Sequence, residues 1–239
     1  MTLTAGVLII GSLLWDSEKG RPAWRKARLD TDSAQAVTAP IRYGRLSESR
    51  GNSYTMIFSR MCQAGQAQLV PCSRRISSLQ ELIEESEHLW KAEQPRAQAR
   101  RIAAAWGCVA LMCNPKRRVT ADLLRGWAER VAHEPDYGNV SQTQEEGPLV
   151  SSEGLLRIEW PVQVNDGSPA EVDLILATAN DPEITASSPD YPTSEAIAEA
   201  WNRAGDNVEY FWKNRDCGIC TFQDDEIRTR LRPRGQTHA

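Results

Sequence analysis

The chain has no apolar run long enough to cross a bilayer. The longest near its start, Val7-Leu8-Ile9-Ile10-Gly11-Ser12-Leu13-Leu14-Trp15, falls far short of the roughly 20 residues a spanning helix takes. It also lacks a basic flank before it and a small-residue cleavage site after it, so it does not read as a signal peptide. A cytoplasmic protein with no membrane partner is expected. Net positive charge is missing as well. The formal charge is −4 at pH 7, which leaves no overall field to draw in nucleic acid or an anionic surface, and no nucleic-acid partner is expected. Arginine groups such as Arg74-Arg75 and Arg96 to Arg101 are short and separated by neutral or acidic sequence; they read as solvated faces. Histidine is scarce: of His88, His133 and His238, none sits near a serine or cysteine pattern that would complete a nucleophilic triad.

What is present is the composition of a globular protein, 41% hydrophobic and 25% charged. A chain of 239 residues buries roughly 70% or more of its unfolded surface, so it needs no disulfide staples. The six cysteines are expected to be mostly reduced. Cys217 and Cys220 have the spacing of half a zinc site or of a redox pair, but a zinc site needs two more ligands and only His238 is near. A structural role is the plainer reading, with a CxxC-dependent metal or redox protein as one alternative. No cofactor is expected.

The hydrophobic pattern predicts elements in the order strands, helix, strand, helix, strands, helix. Val7 to Ile10 reads as a buried strand, central in its sheet, ending in a Gly11-Ser12 turn. Ile41 to Leu46 and Tyr54 to Phe58 read as a hairpin around Gly51-Asn52, and Gly65 to Val70 as another strand. Ser78, with Glu81 three residues on, caps a helix running to about Gln94 and leaves Ser86 in the centre of its apolar stripe. Trp106 to Cys113 is a strand and Thr120 to Ala132 a second helix. Leu155 to Val164 and Val172 to Thr178 are predicted strands, separated by an Asn165-Asp166-Gly167 turn, and Glu195 to Ala204 is a short helix. The fold class is therefore α+β, a mixed barrel-like β-sheet with flanking helices. Residues 1–204 form the main domain, and 205–239, which show no clear period, form a C-terminal extension packed on it.

Four features occur together in one order: the turn Ile10-Gly11-Ser12-Leu13-Leu14, the strand Gly65 to Val70, the acidic helix around Leu82-Ile83-Glu84-Glu85-Ser86-Glu87 followed by the strand Trp106 to Cys113, and Ser188-Pro189-Asp190-Tyr191 before a late helix. This order resembles the γ-glutamylcyclotransferase-like family, with its YGSL or YGSN loop, its LDxxEG helix bearing the catalytic glutamate, and its proline- and tyrosine-containing loop. Ile10 stands where that family usually has tyrosine, no glycine follows the glutamate candidate, and residues 205–239 match nothing in the family.

The resemblance implies a reaction in which a substrate's own α-amine attacks its γ-amide carbonyl, releasing 5-oxoproline and an amine. The partner would be a small γ-glutamyl or amide substrate. One carboxylate moves the proton, and backbone N–H groups hold the substrate. The Glu84-x-x-Glu87 interval favours Glu87 as that carboxylate, with Glu85 second; counting from the leucines points instead at Ser86, and Glu93 lies on the stripe near the helix end. Substrate-binding candidates are Ile10, Gly11, Ser12 and Leu13 in the turn, the Tyr191 hydroxyl, and Arg42 for a substrate carboxylate. A non-catalytic relative that binds a small molecule or a protein is the other alternative. The oligomeric state is left open.

Overall fold

A computed structural model describes residues 2–18, 20–137, 147–182 and 190–232. The elements, in chain order, are β1 (Ala5–Ile9), α1 (Arg21–Arg28), β2 (Gln35–Ala39), β3 (Ile41–Ser47), β4 (Ser53–Phe58), β5 (Gly65–Pro71) and α2 (Leu79–Glu93). Then come β6 (Ala103–Ala104), β7 (Gly107–Cys113), α3 (Ala121–Ala132), β8 (Leu174–Asn180), α4 (Ser194–Arg203), α5 (Glu209–Asp216) and α6 (Asp224–Arg230). The architecture is α+β with a mixed sheet and flanking helices.

Every residue of β1 is buried, as an uninterrupted apolar run requires of a strand covered on both faces. β1 lies inside a six-stranded sheet of order β2-β5-β1-β8-β7-β6, and β3 pairs with β4 in a separate hairpin. β1 runs parallel to β8, with Leu8 opposite Ala177, and antiparallel to β5. The carboxyl ends of β1 and β8 therefore emerge side by side, the place where open sheets with parallel strands collect ligands.

Among the described strands the sheet runs from β2 to β6, and the barrel-like closure expected from the sequence is made by isolated bridges and not by a further strand. The segment expected as a strand over Leu155 to Val164 makes only isolated bridges, from Leu155 to Leu111 of β7 and from Gln163 to Val37 of β2. Pro161 within it has no N–H to give a ladder. It nevertheless links β7, next to one edge of the sheet, with β2 at the other. The turn after it is present, with Gly167 at φ 69° and Asp166 Oδ1 accepting from the Ser168 N–H at 2.8 Å.

Both central helices begin as their caps dictate. Ser78 Oγ accepts from the Glu81 N–H at 3.2 Å, and Glu81 reaches back to the Ser77 N–H at 2.6 Å. Thr120 caps α3 in the same way through the Leu123 N–H. Ser86, fully buried on α2, returns its hydroxyl to the Leu82 carbonyl at 2.8 Å, which satisfies a polar group inside the apolar stripe without a partner from elsewhere.

Residues beyond 204 contribute to the same hydrophobic core: Tyr210 and Phe211 of α5, Ile219, and Ile227 of α6 are all buried there. The Cys217 to Cys220 stretch docks by its backbone on β5. Gln66 and Cys220 exchange both main-chain bonds at 2.8 and 3.0 Å, and the Gln68 carboxamide donates to the Cys217 carbonyl at 3.1 Å. Among the described residues no helix is long and apolar enough to cross a membrane.

Candidate active site

A cavity of about 1030 Å³ opens where β1 and β8 end. Its floor is Ile9, Ile10 and the turn Gly11-Ser12-Leu13. One wall is the carboxyl end of β8 with Thr178, Asn180 and Asp181; another is the C-terminal turn of α2, from Glu93 to Arg96. The hairpin contributes Arg45 and Arg50, α1 contributes Arg21, the β6–β7 turn Trp106, and α5 Tyr210.

The turn is a folded corner. The carbonyls of Gly11 and Ser12 accept from the N–H groups of Leu14, Trp15 and Asp16 at 2.8 to 3.3 Å. Among the described residues no acceptor meets the N–H groups of Gly11, Ser12 or Leu13, and successive donors in a turn are an arrangement that can receive a carboxylate. The turn is fixed from behind: Arg25 donates to the carbonyls of Leu13 and Asp16 at 2.6 and 3.0 Å.

Arg21 joins the turn to the helix end. Buried at 5% exposure, its guanidinium donates to Ser12 Oγ at 2.8 Å, to Asp16 Oδ2 at 2.7 Å and to the Ala92 carbonyl at 3.1 Å, and lies 3.4 Å from Glu93 Oε2. Arg50 also donates to Ser12 Oγ, at 3.0 Å. With both of its acceptor sites filled, the Ser12 hydroxyl has its own proton to offer a ligand. Arg50 in turn lies over the Tyr210 ring at 4.5 Å, and Arg45 over Trp106 at 4.7 Å, with Trp106 stacked on Trp90 at 4.9 Å. These rings fix the two guanidiniums at the cavity mouth. Burial pushes the Tyr210 phenol up, so it stays protonated. The lining carries Arg21, Arg45, Arg50 and Arg96 against Glu48, Glu93 and Asp181, a mixed but arginine-rich surface suited to an anion.

The sequence candidates separate into three places. Ile10, Gly11, Ser12 and Leu13 all line this cavity. Glu85 does not: it is buried 3.3 Å from Arg28, and burial, outweighing that arginine, pushes its carboxyl up. Glu87 does not line it either. Its carboxyl is raised by burial, with Arg130 and Arg100 opposing that shift from the α3 side. The helical period explains both placements. At about 100° per residue the helix face that carries Ser86 returns at Glu93, two turns on, while Glu85 and Glu87 flank it. Arg42 and Tyr191 form a third group. Arg42 stacks on Tyr191 at 3.9 Å in a separate cleft of about 410 Å³ with Phe222. Residues 188 and 189 of the proline-containing loop lie outside the described residues.

Compared with known proteins, the chain matches no family model, no curated protein and no solved structure. The site therefore has to be read from its own chemistry. Sequence reasoning passed over Arg21, Arg50, Trp106, Thr178, Asn180 and Tyr210. One signal for the carboxylate was available: Leu89 to Glu93 keeps the leucine-to-glutamate interval of LDxxEG, and this copy of the interval sits at the helix end that meets the turn. Cys217 and Cys220, the centre of the other alternative, lie apart from this cavity. Burial pushes both thiols up, away from reactivity. Among the described residues no three His, Cys, Asp or Glu side chains gather as metal ligands.

Proposed function

We propose that the chain is a γ-glutamylcyclotransferase-like enzyme that acts on a small γ-glutamyl amide, with Glu93 as its acid–base group. The observation that carries this reading is that Glu93 and the Ser12 turn share one cavity and are tied together by Arg21. The turn's N–H groups and the Ser12 hydroxyl hold the substrate carboxylate. The substrate's α-nitrogen then attacks its own γ-carbonyl carbon, forming the ring C–N bond. Glu93 takes a proton from that nitrogen and returns it to the departing nitrogen as the amide C–N bond breaks, leaving 5-oxoproline and a free amine. Atoms and protons balance without an oxidant, a reductant or a second substrate. One carboxylate in this role contributes roughly 10²–10⁴-fold.

A crystal soaked in 5-oxoproline tests the placement. The reading expects the carboxylate on the N–H groups of residues 11 to 13, with the ring facing Glu93. Density in the Arg42–Tyr191 cleft alone, or none, contradicts it. Binding at the turn without any turnover of γ-glutamyl amides would favour a non-catalytic relative that uses the same cavity.

A further inference from the structure

Two buried polar atoms on the cavity wall have no partner. Thr178 is 6% exposed, and neither its Oγ1 nor Asn180 Oδ1 meets a hydrogen-bond donor. Leaving such groups unsatisfied is costly, so native proteins rarely keep them without a use. The two residues are i and i+2 on β8, hence on one face of the strand, and both line the cavity. The two neighbouring elements complete the geometry. The last register pair between β1 and β8 is Leu8 opposite Ala177; three residues further on each chain stand Gly11 and Asn180. The turn that follows β1 therefore leaves the sheet beside the end of β8 that carries Thr178 and Asn180, and all of them line one cavity.

We infer that Thr178 and Asn180 are the specificity-determining residues of this cavity, accepting hydrogen bonds from the α-amino group of a ligand whose carboxylate rests on the Gly11–Leu13 turn. The ligand class is an α-amino acid head group, with nitrogen and carboxylate on one carbon, matching acceptors and donors that line one cavity from neighbouring strand ends. The inference rests on the γ-glutamyl reading for the chemistry that follows, and adds which groups orient the attacking nitrogen. Acceptors on its N–H bonds turn the lone pair away from β8. The Thr178 hydroxyl moves on a single torsion, so it can swing to a bound N–H; valine has the same shape and no acceptor.

The test uses matched ligands that differ only in the α-amino group, L-glutamate and glutarate, titrated by calorimetry into the full chain and into Thr178→Val. The unaltered protein should bind L-glutamate about tenfold or more tightly than glutarate, the scale of hydrogen bonds to a charged donor. Thr178→Val should lose most of that preference while keeping its affinity for glutarate. Since Thr178 Oγ1 has no partner in the protein, Thr178→Val should also melt no lower than the unaltered chain, an outcome that a structural hydroxyl would not give. Asn180→Leu provides the second arm, with the same loss of preference expected. Equal binding of the two ligands by the unaltered protein, binding of neither, or an undiminished preference in both variants overturns the inference. Preference for L-glutamate without any turnover of γ-glutamyl amides would sink the enzymatic reading and leave the assignment of Thr178 and Asn180 standing.

Discussion

The hydroxyl oxygen of Tyr210 lies 2.7 Å from the point where a Cβ on Gly11 would stand. Glycine at the cavity floor is thus required first by a residue 199 positions away in the chain, and only then by close approach of a ligand. Gly11→Ala should force Tyr210 or the turn to shift, at about 1–3 kcal/mol, the usual cost of overpacking. Tyr210→Phe removes the offending oxygen, and the next atom is 3.7 Å away, an ordinary contact. A double-mutant cycle followed by thermal melting should show the pair less destabilised than the sum of the singles; additivity would mean that the two residues do not meet.

Arg21 should prove a positioning residue. Its fork holds the Ser12 hydroxyl and the Ala92 carbonyl, and its Nη2 lies 3.4 Å from Glu93, and lysine keeps the charge but loses the fork. Arg21→Lys is expected to lower kcat by about 10²-fold, the scale of a misplacement near 1 Å, with a smaller change in KM. An unchanged kcat would show that the turn and Glu93 are placed without it.

Much of the scaffold was legible in the residues. Ser78 with Glu81, and Thr120 before Leu123, announced two helices because a cap is a local event that three or four residues decide. The apolar run of β1 announced a buried central strand. By contrast, α1 left little trace. Four of its eight residues are Arg or Lys, and of its side chains only Arg21 and Trp24 are buried, too few points to mark a period. Tyr210 was hidden for a similar reason: it lies in a C-terminal stretch without periodicity, and its place at the cavity depends on packing against Trp201, 5.5 Å away and nearly coplanar. Which of Glu85, Glu87 and Glu93 lines the cavity depends on which end of α2 meets the turn, and that follows from tertiary contacts such as Arg21 on Ala92 and not from helical spacing.

Glu134 anchors the far end of the site wall. Its carboxylate, 2% exposed, receives Arg101 and Arg130 at 2.6 Å each and the Ile102 N–H at 3.1 Å. It thereby ties α3 to the segment leading into β6 and Trp106. Breaking a buried pair costs roughly 3–5 kcal/mol, and the partial exposure of both arginines reduces this to about 2–3 kcal/mol. Glu134→Gln should lower stability in urea melts by that amount; a loss under about 0.5 kcal/mol would mean the ion pairs are merely superficial.

Glu85 supplies a test by pH. Burial raises its folded-state pKa above the ordinary 4.5 in spite of Arg28, so the folded chain holds this proton more tightly than the unfolded one. The stability it contributes is present below the unfolded value and is lost as pH rises through the folded value. Glu85→Gln should therefore gain on the unaltered protein in melting temperature between about pH 4 and pH 7. A difference that stays constant or moves the other way contradicts a raised pKa.

Whether Glu93 moves the proton is decided by comparing formation of 5-oxoproline from γ-glutamyl-L-alanine by the unaltered protein and by Glu93→Gln, with both melting temperatures recorded. Glutamine keeps the volume and the contact with Arg21 but carries no proton between the two nitrogens. Proton transfer by Glu93 predicts turnover by the unaltered chain, a loss of roughly 10²–10⁴-fold in Glu93→Gln, and little change in melting temperature. Equal turnover by the two proteins, or no 5-oxoproline from either, would contradict it.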